Sequence, residues 1–370
     1  MINPLSSSDF SELVLLKVYG DDEGGDDNDQ GDRERHHDFR KLFKFRSFDH
    51  DNKANNHKHD NKGDDNKDKE QNKAKIYKGF GFDPADDDGK NENTFNFAAV
   101  GDFGCSKNAK NTVENIKDSK PELLLPLGDL SYQKNANCWF DIISPLKHKL
   151  MITLGYHDMN DGQDKKNQFY KSFDLNKPYY SFDYSKVHFI VMASESNFGT
   201  GSEQYQFVKQ DLEESSNKDV NWIIVTSYGP FYTSPSKHNA EKDLRDIYHP
   251  LFEKYNVDLV LQAHNHNYQR TYPISYNSAG DSSEPVMIDQ VTTGYNSHTE
   301  GTIFAIVGTG GESFYPLAGQ APYVASQFDR FGFLNIDISN GNPQTKLTGT
   351  FYDNKGSEVR DQFTIEKEIK

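Results

Sequence analysis

The chain has 370 residues, only 34% of them hydrophobic, and a formal net charge of −16. That length supplies one large α/β domain or two modest ones, but so low a hydrophobic share means that part of the chain does not form core. The acid excess is spread over both the first 94 residues and the remainder, so the overall field repels polyphosphate backbones and nucleic acid is not an expected partner.

Near the start, Phe10 to Val18 is the one apolar run, and Asp9 and Glu12 precede or interrupt it. No secretory leader is therefore expected. From Asp21 to Glu92 the chain is dominated by Asp, Asn, Lys, His and Gly. Such a stretch cannot bury enough apolar area to offset its chain entropy, and it is expected to be disordered. Within it, Phe39, Leu42, Phe43, Phe45 and Phe48 alternate with Arg40, Lys41, Lys44 and Arg46. This segment reads either as a short basic amphipathic helix touching a membrane or partner, or as a solvated piece of a biased tail, and the surrounding composition favours the second. His36, His37, His57 and His59 lack the fixed spacing of a structural metal site. The expected organisation is a low-complexity, mostly disordered region over residues 1–93 and one folded domain over residues 94–370.

From Thr94 the texture changes. Phe95 to Val100, Leu123 to Leu127, Leu150 to Leu154, Val187 to Met192, Trp222 to Val225 and Val257 to Leu261 are short apolar runs of strand length, the pattern of strands covered on both faces. Between them, Ala109 to Lys117, Gln204 to Glu214 and Glu241 to Lys254 have helical periodicity, the last with a stripe of Leu244, Ile247, Tyr248, Leu251 and Phe252. The alternation predicts a layered α/β architecture. After Thr302 come Phe304 to Val307, Phe333 to Ile338, Lys346 to Tyr352 and Gln362 to Ile365, separated by Gly and Asn turns, which predict a closing antiparallel section.

No apolar run reaches membrane-spanning length, and no Asn-x-Ser/Thr acceptor occurs despite the abundance of Asn. Together with the missing leader, this gives a cytoplasmic location as the expectation. Cys105 and Cys138 each follow shortly after a candidate ligand. They read as two buried free thiols or as one disulfide, and the sequence leaves both open.

The chemistry lies in five ordered elements: Gly101-Asp102-Phe103-Gly104, Gly128-Asp129-Leu130-Ser131-Tyr132, Gly155-Tyr156-His157-Asp158, Val225-Thr226-Ser227-Tyr228 and Ala263-His264-Asn265-His266. The first three sit just past the ends of apolar strands, where open α/β sheets place ligand-binding residues. Any one alone is an ordinary turn or surface pair; their order and placement are what point to a metal site.

This arrangement resembles the calcineurin-like metallophosphoesterases, and within them the purple or tartrate-resistant acid phosphatases, over roughly Phe95 to Thr350. That family's pattern is GDxG, GDxxY, GNH(D/E), VxxH and GHxH. The resemblance implies a four-layer αββα sandwich, with two metals between the inner sheets and metal-dependent hydrolysis of phosphate monoesters as the reaction. It implies that Asp102, Tyr132 and His266 hold a ferric ion and that Asp129 bridges to a second, divalent metal (Zn, Mn or Fe) shared with His264. It also assigns His157, and His238 less directly, to the substrate phosphate. Tyr156 stands where the family has Asn and Tyr228 where it has His. A phenol must lose a proton of ordinary pKa about 10 before it binds metal, so both rings are expected to fill the second metal's cavity. Three readings follow: a pseudo-phosphatase acting as a binding or scaffold protein with a protein partner, an active phosphatase with a remodelled site, and a mononuclear Fe-tyrosinate protein. On ligand loss the first is preferred.

Overall fold

The computed structural model describes residues 74–83, 94–296, 301–355 and 358–368. The expectations for the tail up to residue 73, the Phe39 to Phe48 segment included, lie outside the described residues.

The strands in chain order are β1 (Thr94–Val100), β2 (Leu123–Pro126), β3 (Tyr180–Tyr184), β4 (Val187–Val191), β5 (Trp222–Thr226), β6 (Leu259–Gln262), β7 (Tyr268–Thr271), β8 (Ile274–Ser275), β9 (Val286–Met287), β10 (Gly294–Asn296), β11 (Ile303–Val307), β12 (Val324–Phe328), β13 (Gly332–Asn340), β14 (Gln344–Asp353) and β15 (Val359–Glu368). They form a six-stranded sheet ordered β10-β15-β14-β13-β1-β2, a seven-stranded sheet ordered β12-β7-β11-β6-β5-β4-β3, and the small β8-β9 pair. The centre of the second sheet, β4-β5-β6-β11, is parallel, whereas β13, β14 and β15 meander antiparallel, as the turn-rich C-terminal pattern predicts.

The two-residue period of the central strands explains the layering. Trp222 and Ile224 of β5, Leu259 and Leu261 of β6, and Ile303, Ala305 and Val307 of β11 enter the core shared with the first sheet, alongside Phe97, Leu334 and Ile336. Their neighbours Ile223, Val225, Val260 and Phe304 turn the other way, onto Val208 and Leu212 of the helix Glu203–Ser215 and Leu244, Tyr248 and Phe252 of the helix Lys242–Lys254. Val113 and Ile116 of the helix Lys107–Ser119 cover the first sheet. Both faces of the strands are dry, which is why they read as continuous apolar runs. The result is the expected αββα sandwich. One edge is closed by a buried clasp: Arg270 of β7 pairs in a fork with Asp361 of β15 at 2.6 and 2.9 Å, and Tyr268 donates to the same carboxylate at 2.8 Å.

Two expectations need correction. Leu150 to Leu154 is not a strand; its backbone pairs with β2 and the residue after it at two isolated bridges, Leu124 with Leu150 and Leu127 with Thr153. Thr153 N–H donates to the Pro126 carbonyl, but Pro126 has no N–H to offer, so the ladder is interrupted between the two bridges. The second concerns the stretch expected to be disordered up to Glu92. Within it, residues 74–83 dock on the domain: Tyr77 stacks on Phe140 at 4.4 Å, Phe80 meets Phe140 and Phe173 edge-on, and Phe82 meets Tyr184. Three aromatics at 77, 80 and 82 supply the apolar area that the surrounding composition lacks. The helix Asn137–Ile143, on which this strap lies, also carries Cys138, and Cys138 forms a disulfide with Cys105. No helix of the described residues is long and apolar enough to cross a membrane.

Candidate metal centre

The candidate ligands stand on the loops that follow the strands. Asp102 follows β1, Asp129 and Tyr132 follow β2, Tyr228 follows β5, and His264 and His266 follow β6. Asp102, Asp129 and His264 all have left-handed backbones, at φ +56°, +48° and +73°. For non-glycine residues this strained conformation is uncommon and concentrates at functional sites. Glycines make room for the crowding. A Cβ on Gly155 would lie 2.3 Å from Asp129 N, and one on Gly308 would lie 2.1 Å from the Asn265 carbonyl and 2.6 Å from Asp102 Oδ2.

At the position expected for the ferric ion, three donors converge. Tyr132 Oη lies 3.0 Å from Asp102 Oδ1 and 3.0 Å from His266 Nε2, and His266 Nε2 lies 3.5 Å from Asp102 Oδ1. The His266 ring donates from Nδ1 to the Ser313 carbonyl at 2.7 Å, which leaves Nε2 as the lone-pair atom facing the cluster. Burial works against the His266 cation, but Asp102 outweighs it and holds the pKa above the ordinary value. Burial, then Asp102, pushes the Tyr132 phenol well up. Burial, followed by the charges of Asp102 and Asp158, likewise raises the Asp129 carboxyl well above its usual range. Carboxylate and phenol oxygens crowded into so dry a space favour a bound cation. Hard oxygens plus one imidazole suit a ferric ion, so this half fits. Among the described residues no three His, Cys, Asp or Glu side chains gather as ion ligands; here the third donor is a phenol.

The other half does not fit. Tyr228, 2% exposed, places its hydroxyl 2.5 Å from Asp129 Oδ2 and 2.6 Å from His264 Nδ1. It donates its proton to Asp129, and His264 as the Nδ1–H tautomer donates in turn to the phenol oxygen. Burial drives the His264 pKa down to about 3, so the imidazole is neutral. The phenol thus stands between the two donors that a second ion would need. Tyr156 behaves otherwise than expected. Its ring is 39% exposed and turned edge-on to His157, outside the cavity that it was expected to fill. It sits at the first position of a short helix, Tyr156–Asn160, whose inward face is taken by Asp158 and Met159.

His157 and His238 flank the cluster. His157 donates its backbone N–H to Asp129 Oδ1 at 2.7 Å and pairs through Nδ1 with Asp161 at 2.9 Å. The His238 ring stacks on His264 at 4.1 Å, and Tyr315 stacks on His266 at 4.0 Å. The structure therefore brings together all seven expected site residues: Asp102, Asp129, Tyr132, His157, His238, His264 and His266. The sequence places Asp158 in the third motif but gives it no role; its buried carboxylate accepts from the N–H groups of Leu130, Ser131 and Gly155 and so ties two ligand loops together. Burial raises its pKa to about 7. The sequence reading missed Tyr315, for which the only signal was its place after Gly308-Thr309-Gly310-Gly311.

Residues 95–268 match the family model described as calcineurin-like phosphoesterase. Over that stretch the chain resembles the calcineurin-like phosphoesterases. Within that family it resembles the purple acid phosphatases: it is 29% identical over 214 residues to probable purple acid phosphatase 20 of Arabidopsis thaliana, across 52% of this chain and 50% of that protein. The chain spans about half the length of the curated relatives it matches. Among solved structures, the purple acid phosphatase PPD1 of yellow lupin (Lupinus luteus) seeds shares the fold at a TM-score of 0.65 and 21% identity, over 74% of this chain and 54% of that one. GAP50, the anchor in the inner membrane complex of Plasmodium, shares it at 0.55 and 19%, over 75% and 89%.

Proposed function

We propose that this chain is a calcineurin-like phosphoesterase that binds phosphate or a phosphomonoester at the mouth flanked by His157 and His238, but hydrolyses phosphate monoesters far more slowly than a two-metal enzyme. The reading is carried by one observation, the Tyr228 hydroxyl held between Asp129 and His264. Asp102, Asp129, Tyr132 and His266 would hold one ferric ion, which supplies charge for a phosphoryl oxygen and, through Tyr132, a tyrosinate colour. The chain's own residues do the rest. His157, oriented by Asp161, and His238, stacked on His264, present ring nitrogens to the phosphoryl group. Tyr228 keeps the second ion's place closed. A two-metal site stabilises both the attacking and the leaving oxygen, and with one ion half of that stabilisation is gone. Such a protein serves as a phosphate-dependent binding or scaffold unit, with a protein as its partner. The Cys105–Cys138 disulfide supports an oxidising compartment over the cytoplasmic location that the sequence suggested.

The test is metal content and turnover of a generic aryl phosphate. Wild-type protein purified without chelator should carry one iron per chain and turn over slowly. Tyr228→His should take up a second ion and raise the rate, and the double change with Tyr156→Asn should raise it further. Two ions in the wild type, with efficient turnover that the double change slows, would overturn the proposal.

A further inference from the structure

The seven residues His264 to Arg270 alternate in what they hold. The even positions serve the centre and the sandwich: His264 and His266 face the metal cluster, and Tyr268 and Arg270 make the clasp to Asp361. The odd positions are three amides, Asn265, Asn267 and Gln269, at 0%, 0% and 2% exposure, and all three reach one loop. Asn265 Oδ1 accepts from His238 N–H at 3.1 Å, while its Nδ2 donates to the His238 carbonyl at 2.9 Å and to Thr233 Oγ1 at 3.0 Å. Asn267 donates to Ser236 Oγ at 3.1 Å. Gln269 accepts from Ser234 N–H at 2.6 Å and donates to Asn267 Oδ1 at 2.9 Å.

The loop between β5 and the helix Lys242–Lys254 contains neither helix nor strand, so little in its own backbone fixes its shape. A side-chain amide that binds both the N–H and the carbonyl of residue 238 fixes that residue at two points, as a neighbouring strand would. With the backbone pinned there, the His238 ring lies stacked on His264 at 4.1 Å and edge-on to Tyr315. We infer that Asn265, Asn267 and Gln269 are positioning residues that hold His238 over the metal-ligand loop and thereby set the affinity of the site for a phosphoryl group. The inference rests on the proposed role of His238 at the phosphate.

The test uses the full chain with its 13 histidines labelled with 13C at Cε1, and inorganic phosphate as the ligand. His238 is assigned by the signal lost in His238→Ala. Stacking at 4.1 Å should shift that signal upfield in the wild type. Asn265→Ala should return it toward the position of a free histidine and weaken phosphate about tenfold, the scale of one hydrogen bond to a charged group. Combined with His238→Ala, it should weaken phosphate no further than His238→Ala alone, because it acts through that ring. Ser236→Ala removes the partner of Asn267 and a long bond to the Pro316 carbonyl but leaves Asn265 on His238; it should move the signal the same way by less, and it decides the matter if Asn265→Ala does not fold. An unmoved His238 signal, or additive losses in the double variant, overturns the inference. Phosphate binding unaffected by His238→Ala would instead overturn the phosphate role of His238, and the signal alone would then judge the amide ladder.

Discussion

Replacing Tyr228 with phenylalanine removes one oxygen from the interior and leaves the ring in place. That oxygen serves two partners, Asp129, 2% exposed, and His264. Without it, Asp129 Oδ2 loses its phenol donor, although Oδ1 keeps the His157 N–H. A buried acceptor left unsatisfied costs ~1–3 kcal/mol, with charged groups at the upper end, so the metal-free protein should lose about 2–3 kcal/mol. For a folded part of this size that lowers Tm by about 4–12 °C, read by circular dichroism at neutral pH in chelator. Tyr228→His should behave differently with added Zn2+. At about a hundred times its Kd, an ion bound only to the folded state adds ~2.7 kcal/mol, whereas wild-type Tm should not respond through this site. A change below about 1 °C for Tyr228→Phe in chelator would mean that the hydroxyl bridges nothing, and the case for a closed second site would fall with it.

Asp361→Ala strands the Arg270 guanidinium, 1% exposed, inside the sandwich; breaking a buried pair costs ~3–5 kcal/mol, so Tm should fall by about 6 °C or more, and a smaller drop would mean that water reaches the clasp. Tyr77→Ala removes the ring stacked on Phe140 and the bond from its hydroxyl to Asp141, a loss of about 1–3 kcal/mol. Under a nonspecific protease, peptide 74–83 should stay with the wild-type domain but be cut early in the variant; equal rates would refute the docking. His188 is buried between Asp183 and Asp211. Burial opposes its cation, but the two carboxylates win and raise its pKa above 6.5. The contribution is therefore full below about pH 6.5 and disappears as pH rises through the raised value. The difference in denaturation midpoint between wild type and His188→Gln should shrink from pH 6 to pH 9, and a difference that grows would reverse the assignment.

The sandwich was legible because its central strands are dry on both faces and therefore appear as unbroken apolar runs, and because the ligand motifs sit at their ends. Where the reading failed, the cause was a single residue or a contact between distant segments. Pro126 interrupts the ladder that the apolar run Leu150 to Leu154 would otherwise form. Tyr156 and Tyr228 are the same residue type at two lost ligand positions, yet one faces solvent and the other the cavity. Their environments differ: Tyr228 lies within reach of a carboxylate and an imidazole, while the inward face of the Tyr156 helix is already occupied by Asp158. The strap at Tyr77, Phe80 and Phe82 was hidden by averaging over an Asp- and Asn-rich neighbourhood, and the pairing of Cys105 with Cys138 depends on a loop path that no local pattern encodes.

The Tyr228 hydrogen bonds bear on how this chain depends on metal supply. Loops that bring carboxylates and histidines together ordinarily need a cation before they settle. In this chain a covalently attached hydroxyl does part of that work, joining the β2, β5 and β6 loops. If the second site is closed as proposed, maturation of half the centre is uncoupled from any loading step: that half would take its final shape where divalent ions are scarce, and stripping or competing metals would not unfasten it.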